Sequence, residues 1–280
     1  MLFQAFHNKD MASETCRIDG ILATEANRAV IFRRGPSKYC QMLIWDLNVD
    51  RVVPGQWLHG QVMTRKCDVS PNGRYLILAA ADYRRTKRDF ENLGGWTAVT
   101  RPPYFTAIAL WLTGTTYNNG GIWLNNTNLG VNPPATIIKH IFWKEVRPPS
   151  KAITITELGV GIVDGEEKIF SMRLKRRGWT TVGKHVMEKP FANGRLRREI
   201  EWPHDRWSIL DRAGDVVRAW NPGDDHWQWL DVDANDRVIF GEEGCLWAWE
   251  RIPNGDPTMI ADLNPNTFKA IPPPKEALEW

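Results

Sequence analysis

The sequence predicts an all-β protein built from recurring short sheets, and three observations carry that reading. Short β-branched and aromatic runs are bounded by Gly, Pro, Asn and Asp, the punctuation of strands and tight reversals. Almost no stretch shows a convincing 3.6-residue period, so helices are not expected. One strand-turn-strand pattern recurs along the chain, the mark of a repeat architecture.

The clearest strands, in chain order, are Ala29 to Arg33, Tyr39 to Leu47, Arg74 to Ala81, Phe105 to Leu112, Ile137 to Trp143 and Ala152 to Leu158. Lys168 to Leu174, Trp207 to Asp211, Asp215 to Trp220, Arg237 to Gly241, Cys245 to Glu250 and Met259 to Leu263 complete the set. Asp211-Arg212-Ala213-Gly214-Asp215 and Tyr117-Asn118-Asn119-Gly120-Gly121 supply residues that tolerate positive φ, as a tight reversal requires. In Tyr75 to Ala81 and Phe105 to Leu112 both alternating faces are largely apolar, so both sides of these strands should be covered. A strand sandwiched between neighbouring blades of a propeller meets that demand without a helix.

The recurring pattern is Cys67-Asp68-Val69-Ser70-Pro71-Asn72-Gly73-Arg74-Tyr75-Leu76-Ile77 and Leu230-Asp231-Val232-Asp233-Ala234-Asn235-Asp236-Arg237-Val238-Ile239, with a weaker copy at Ala26 to Phe32. Self-similarity of this kind, with four strands to a unit, matches a propeller blade. Asn27 and Asn72 stand 45 residues apart, Asn72 and Asn235 163 apart. With about 20 residues set aside for a loop after Ala81, that spacing predicts five blades, with six as the alternative. A strand at Met1 to His7 has no partner in the first unit and is expected to complete the last blade. The chain thus reads as a single β-propeller domain over 1–280, with a long inserted loop at about 83–103 and an extended Pro-rich tail at about 264–280.

Met42-Leu43-Ile44-Trp45-Asp46-Leu47, followed by Val69 to Leu76, resembles the end of one WD repeat and the start of the next. Ala109-Leu110-Trp111-Leu112 resembles a third-strand signature whose Asp is missing, and His59-Gly60 reverses the usual Gly-His order. The resemblance implies a degenerate WD-repeat-like β-propeller.

Composition bounds the function. The chain has 280 residues, 42% apolar and 25% charged, with a net charge of +3, as soluble globular proteins do. No apolar run approaches the length of a membrane helix, and the N-terminal residues lack the pattern of a secretion signal; a cytoplasmic, monomeric protein is expected. Cys16, Cys40, Cys67 and Cys245 are scattered without a CxxC pair and read as small buried apolar groups. Of the 15 tryptophans, Trp45, Trp111, Trp220, Trp247 and Trp249 fall in strands and should fill space between blades. Trp96, Trp123, Trp179, Trp202 and Trp227 lie in or beside loops, where ligand stacking competes with packing.

The segment Tyr83 to Pro103 carries the binding expectation. Arg84, Arg85, Lys87, Arg88 and Arg101 alternate with Phe90 and Trp96, a mixture that a mobile solvated loop explains as well and that is suited to an acidic protein partner or, less directly, to nucleic acid. Charge is uneven elsewhere too. Residues 224–263 hold ten Asp and Glu against two Arg, whereas Arg173 to Arg177 and Arg195 to Arg198 are basic, which suggests a dipolar surface. For catalysis no nucleophile elbow, metal-binding helix or glycine-rich phosphate loop is present, and no cofactor or metal is expected. Asp224, Asp225 and His226 are explained by a turn as well as by a metal. Asp68 and Asp231, at equivalent repeat positions, would serve either as turn acceptors or as a carboxylate pair facing a central channel, as in a hydrolase or carbohydrate-binding propeller. The reading favoured is a non-enzymatic propeller scaffold that binds a protein partner.

Overall fold

The computed structural model describes residues 15–35, 38–82, 94–134, 139, 143–160, 165–200, 205–220 and 229–280. The first sheet is an antiparallel run of β1 (Arg17–Leu22), β2 (Arg28–Arg34), β3 (Tyr39–Asp46) and β4 (Arg51–His59). The second combines β5 (Gln61–Val62), β6 (Asp68–Val69), β7 (Leu76–Ala81), β8 (Gly95–Thr100) and β9 (Ala107–Leu112). A third, small sheet holds β10 (Gly121–Trp123) and β11 (Asn128–Val131); the chain then adds β12 (Lys144–Arg147) to the second sheet and returns with β13 (Thr154–Glu157), which pairs parallel to β11. After helix α1 (Gly165–Arg176) come the fourth sheet, β14 (Thr180–Gly183), β15 (Val186–Phe191), β16 (Gly194–Glu199), β17 (Arg206–Asp211) and β18 (Val216–Trp220), and the fifth, β19 (Trp229–Val232), β20 (Val238–Glu242), β21 (Cys245–Trp249) and β22 (Thr258–Asp262).

The protein is all-β, as the residue pattern predicts, but it is not a propeller. Four apolar clusters join the sheets in a line. The core of the first and second sheets contains Ile21, Phe32, Met42, Val69 and Leu78. The opposite face of the first sheet, with Ile31, Leu43 and Trp45, packs on Ile239 and Leu246 of the fifth. The fifth meets the fourth through Phe240, Trp249, Leu196 and Trp207, and the second meets the third through Ile77, Trp111, Trp123 and Leu129. Among the described residues no apolar cluster joins the third sheet to the fourth, so the row does not close. Among the described residues the sheets also differ from three to six strands, and one contains a parallel pair, whereas a blade is a four-stranded unit. The expected closing strand at Met1 to His7 lies outside the described residues.

The physical reason for this correction is that the repeated motif encodes a hairpin and nothing larger. In β6–β7, Ser70 N–H donates to the Tyr75 carbonyl (2.8 Å) and Gly73 turns with φ +73°. In β19–β20, Asp233 N–H donates to the Arg237 carbonyl (3.0 Å) and Asp236 turns with φ +62°. Side-chain acceptors support both turns: Asn72 Oδ1 accepts from Arg74 N (3.0 Å), and Asp233 Oδ1 accepts from Asn235 N and Arg237 N, each at 2.9 Å. The same letters make the same local reversal in two sheets that are otherwise built differently. The Asp211 to Asp215 turn joins β17 to β18, with Asp211 Oδ1 accepting from Gly214 N (2.8 Å) and Asp215 N (2.9 Å). Tyr117 to Gly121 instead carries the chain from one sheet to another, since β10 pairs with β11 and not with β9.

Helix α1 overturns the strand expected at Lys168 to Leu174. Its buried positions are Gly165, Ile169, Phe170, Arg173 and Leu174, so an arginine occupies an inward place that apolar periodicity alone cannot reveal. The end signals were in the letters: Glu166 and Glu167 in the first turn, Arg173, Lys175 and Arg176 in the last, each complementing the helix dipole, and Gly178 at φ +86° just beyond. Arg173 and Arg198, members of the two basic clusters, are buried inside the molecule. Among the described residues no helix is long and apolar enough to cross a membrane.

Candidate functional site

The arginines of α1 bind the sheets together. Arg173 donates to the carbonyls of Thr64 (2.7 Å) and Cys67 (2.5 Å), beside the second sheet. Arg176 donates to the Trp123 carbonyl of the third sheet and to Asp68 Oδ1 (2.6 Å) of the second. Arg177 reaches Leu22 and Ala23 at the end of the first sheet, both at 3.0 Å, and Asp231 Oδ2 (2.6 Å) of the fifth. At the other end of α1, Glu167 accepts from Arg65 and from Arg198 (2.7 Å), and Asp205 accepts from both as well. The guanidinium groups of Arg65, Arg173 and Arg198 lie 4.5–4.8 Å from the Phe170 ring, a favourable cation–π distance.

Asp68 and Asp231, the pair expected either to cap turns or to face a channel, are therefore each held by cations. Burial raises the Asp68 carboxyl pKa, with Arg176 opposing it. Burial also acts to raise Asp231, but Arg177 and Lys189 (2.5 Å) together outweigh it and bring the group down to about 2. Asp231, clamped in this way, is a structural ion and not a proton donor poised near neutrality.

Of the residues expected to form the binding segment, Arg84, Arg85, Lys87, Arg88 and Phe90 lie outside the described residues. Trp96 is half-buried in β8 against the core of the first and second sheets. Arg101 follows the other end of β8, where Nε donates to the Glu279 carbonyl (2.6 Å) and the guanidinium lies 4.9 Å from the Tyr75 ring. Arg101 thereby helps hold the tail, which Gln56 meets at the Ile271 carbonyl (2.9 Å), Arg147 at Leu278 (2.8 Å), and Trp280 anchors through the Ile108 carbonyl (3.1 Å). Trp123 and Trp179, considered above for ligand stacking, are core residues; Trp45, Trp111, Trp220 and Trp249 are buried between sheets. Trp202 and Trp227, His204, and the Asp224-Asp225-His226 run lie outside the described residues. Cys40 and Cys67 are buried thiols pushed up to about 12, hence un-ionised and unreactive at neutral pH.

A cavity of about 100 Å³ opens at one end of the interface between the first and second sheets. The register explains its lining. Arg17 of β1 is opposite Arg34 of β2, which is opposite Cys40 of β3; the next row on the same face is Asp19, Phe32 and Met42. Val62, Met63 and Thr64 close the cavity from the second sheet, and Arg65 and Glu166 edge it. The acids are compensated: Glu166 lies 3.4 Å from Arg65, while Asp19 accepts from Gly20 N (2.9 Å) and Thr64 Oγ1. Burial raises the Asp19 carboxyl pKa, with Arg173 opposing it. The side chains of Arg17 and Arg34, by contrast, have no hydrogen-bond or ion-pair partner among the described residues. Like charges directly opposite each other on adjacent strands destabilise a sheet. Nothing in the letters flagged the pair: Arg17 lies outside every predicted strand, and its partner is set by register.

No protein-family model matches the chain, and no curated protein is similar to it. Among solved structures it is similar to an uncharacterized protein from Listeria monocytogenes EGD-e, with 8% identity over 91% of this chain and 85% of that one and a TM-score of 0.28. That likeness carries no argument about fold or function. No WD-repeat family is found, and that resemblance is set aside with the propeller.

Proposed function

We propose that the protein is a non-enzymatic interaction module that captures an acidic protein partner through the arginines at the mouth of this cavity. The observation that carries the reading is the pair Arg17 and Arg34, set side by side on neighbouring strands with no side-chain hydrogen-bond or ion-pair partner among the described residues. Such a pair is an unfavourable arrangement until an anion arrives, and two guanidinium groups together suit a carboxylate. Their backbone is fixed by the antiparallel ladder of the first sheet, which lowers the ordering cost of binding.

The basic run Arg84, Arg85, Lys87 and Arg88 fits the same partner. Asp82 N–H donates to the Gly94 carbonyl (2.7 Å) at the root of that segment. The preceding residue, Ala81, is opposite Gln61, which lines the cavity. The test is cross-linking in native extract, read by mass spectrometry, with the wild type beside the Arg17→Glu/Arg34→Glu double variant. The wild type is expected to hold an acidic protein that the variant loses; an identical set of cross-linked proteins would overturn the proposal.

A further inference from the structure

We infer that the cavity is a site for a short, branched carboxylic acid group, with its apolar tail inside and its carboxylate between Arg17 and Arg34. The inference rests on the reading of those two arginines as the binding surface and goes on to name the chemistry they recognise.

Size is the first argument. An engineered apolar cavity of roughly 150 Å³ admits benzene, so the present volume of about 100 Å³ suits a group of a few carbon atoms. Lining is the second. The interior is formed by Phe32, Cys40, Val62 and Met63, of which Phe32, Cys40 and Val62 are almost wholly buried. Cys40 contributes an un-ionised thiol, so this wall carries no charge. Such a surface gains from an aliphatic tail and gives nothing to a polar one.

The rim supplies the third argument, and charge decides its sign. Asp19 and Glu166 also line the cavity, which would favour a cation if they were free. Each already has partners, Glu166 in Arg65, which it shares with Glu167 and Asp205, and Asp19 in Thr64 and the Gly20 amide, with Arg173 also acting on it. The charges left without a partner among the described residues are both positive, and they are opposite each other in the β1–β2 ladder. An amine with the same tail would find compensated acids and two repelling guanidinium groups. A bare phosphate would meet the arginines and leave the apolar interior unfilled. An aliphatic carboxylate uses both halves of the site. That group occurs in a free short-chain acid and at the C-terminus of a peptide ending in Leu or Val.

The experiment is isothermal titration of the full chain with 3-methylbutanoate, 3-methylbutan-1-amine, inorganic phosphate, and a short peptide ending in Leu with either a free or an amidated C-terminus. The free carboxylates should bind, with the amine, phosphate and amidated peptide at least roughly tenfold weaker, the scale expected for charge-assisted hydrogen bonds. Arg17→Ser and Arg34→Ser should each weaken carboxylate binding about tenfold. Arg17 is exposed, so its replacement leaves folding intact even if the other variant does not. A free-carboxylate peptide that binds tighter than 3-methylbutanoate identifies a chain terminus as the source; equal affinities identify the free acid. The inference is overturned if the amine or phosphate binds as well as the acid, if no free carboxylate binds, or if both serine variants keep wild-type affinity. Should the cross-linked acidic partner persist while the short acid fails, this inference alone falls; loss of that partner's dependence on the arginines removes the broader reading as well.

Discussion

Asp68 and Asp231 occupy the same position in the same hairpin motif, one in the second sheet and one in the fifth, yet Asp68 has one ion-pair partner and Asp231 two. Asp68 is fully buried and has Arg176 as its ion-pair partner, with the Trp123 amide as a further donor (2.7 Å). Asp231 has Arg177 and Lys189. At Asp68 the cost of burial outweighs Arg176 and the more distant Arg173 and the carboxyl pKa rises; at Asp231 the ion pairs with Arg177 and Lys189 outweigh it and the pKa falls to about 2. The difference teaches that the local motif sets where the carboxylate stands, while the helix and the neighbouring sheet set how it titrates. The Arg17–Arg34 rim is the opposite case, a pair of charges that the fold places together and that no other described residue matches.

The sharpest way to break this comparison is to remove the ion-pair partner of Asp68. Arg176→Met leaves Asp68 buried with no ion-pair partner and should cost about 3–5 kcal/mol in urea unfolding; a loss below roughly 1 kcal/mol would show that the pair is dispensable. Acid comes next. A folded pKa below the ordinary carboxylate value means that Asp231 stabilises the protein above about pH 4 and loses that contribution as pH falls toward 2, amounting to about 2 kcal/mol. Asp68 works in the other direction, since its folded form takes up a proton before the unfolded one. Unfolding curves at stepped pH should therefore show a decline below pH 4 that Asp231→Asn removes, and an unchanged decline in that variant would refute the assignment.

Redundancy makes the third effect smaller. Lys189→Met leaves Arg177 on Asp231, so the expected loss is about 1–2 kcal/mol, the scale of one charged hydrogen bond, with the Asp231 pKa moving upward in a carboxyl-detected NMR titration. The smallest effect belongs to the rim. Arg17→Ser should change stability by no more than about 0.5 kcal/mol, in the stabilising direction, because it removes a like charge opposite Arg34. A loss above about 1 kcal/mol would mean that Arg17 already has a partner and is not waiting for one.

How much could be read from the letters varies by element. The strands at Tyr39, Leu76, Ala107 and Cys245 stood out because each runs through a core between two sheets, so composition and burial agree. β1, β4 and β8 were missed: Arg17, Asp19 and Gly20 interrupt the apolar pattern in β1, Pro54 and Gly55 lie within β4, and Gly95 opens β8. Helix α1 was read as a strand because its inward face carries arginine. The basic clusters looked like surface for the same reason, since arginine reads as solvated until a buried carboxylate stands opposite it.

By itself the sequence determined the all-β character and the hairpins, because strand composition and the Asx and Gly chemistry of a turn act within a few residues. Tertiary structure decided that the sheets line up without closing, which arginines are buried, which of two equivalent aspartates is depressed, and that Arg17 faces Arg34 over a cavity. Those outcomes depend on register and on partners far along the chain, and Coulomb energy responds to distance and burial that local patterning does not encode.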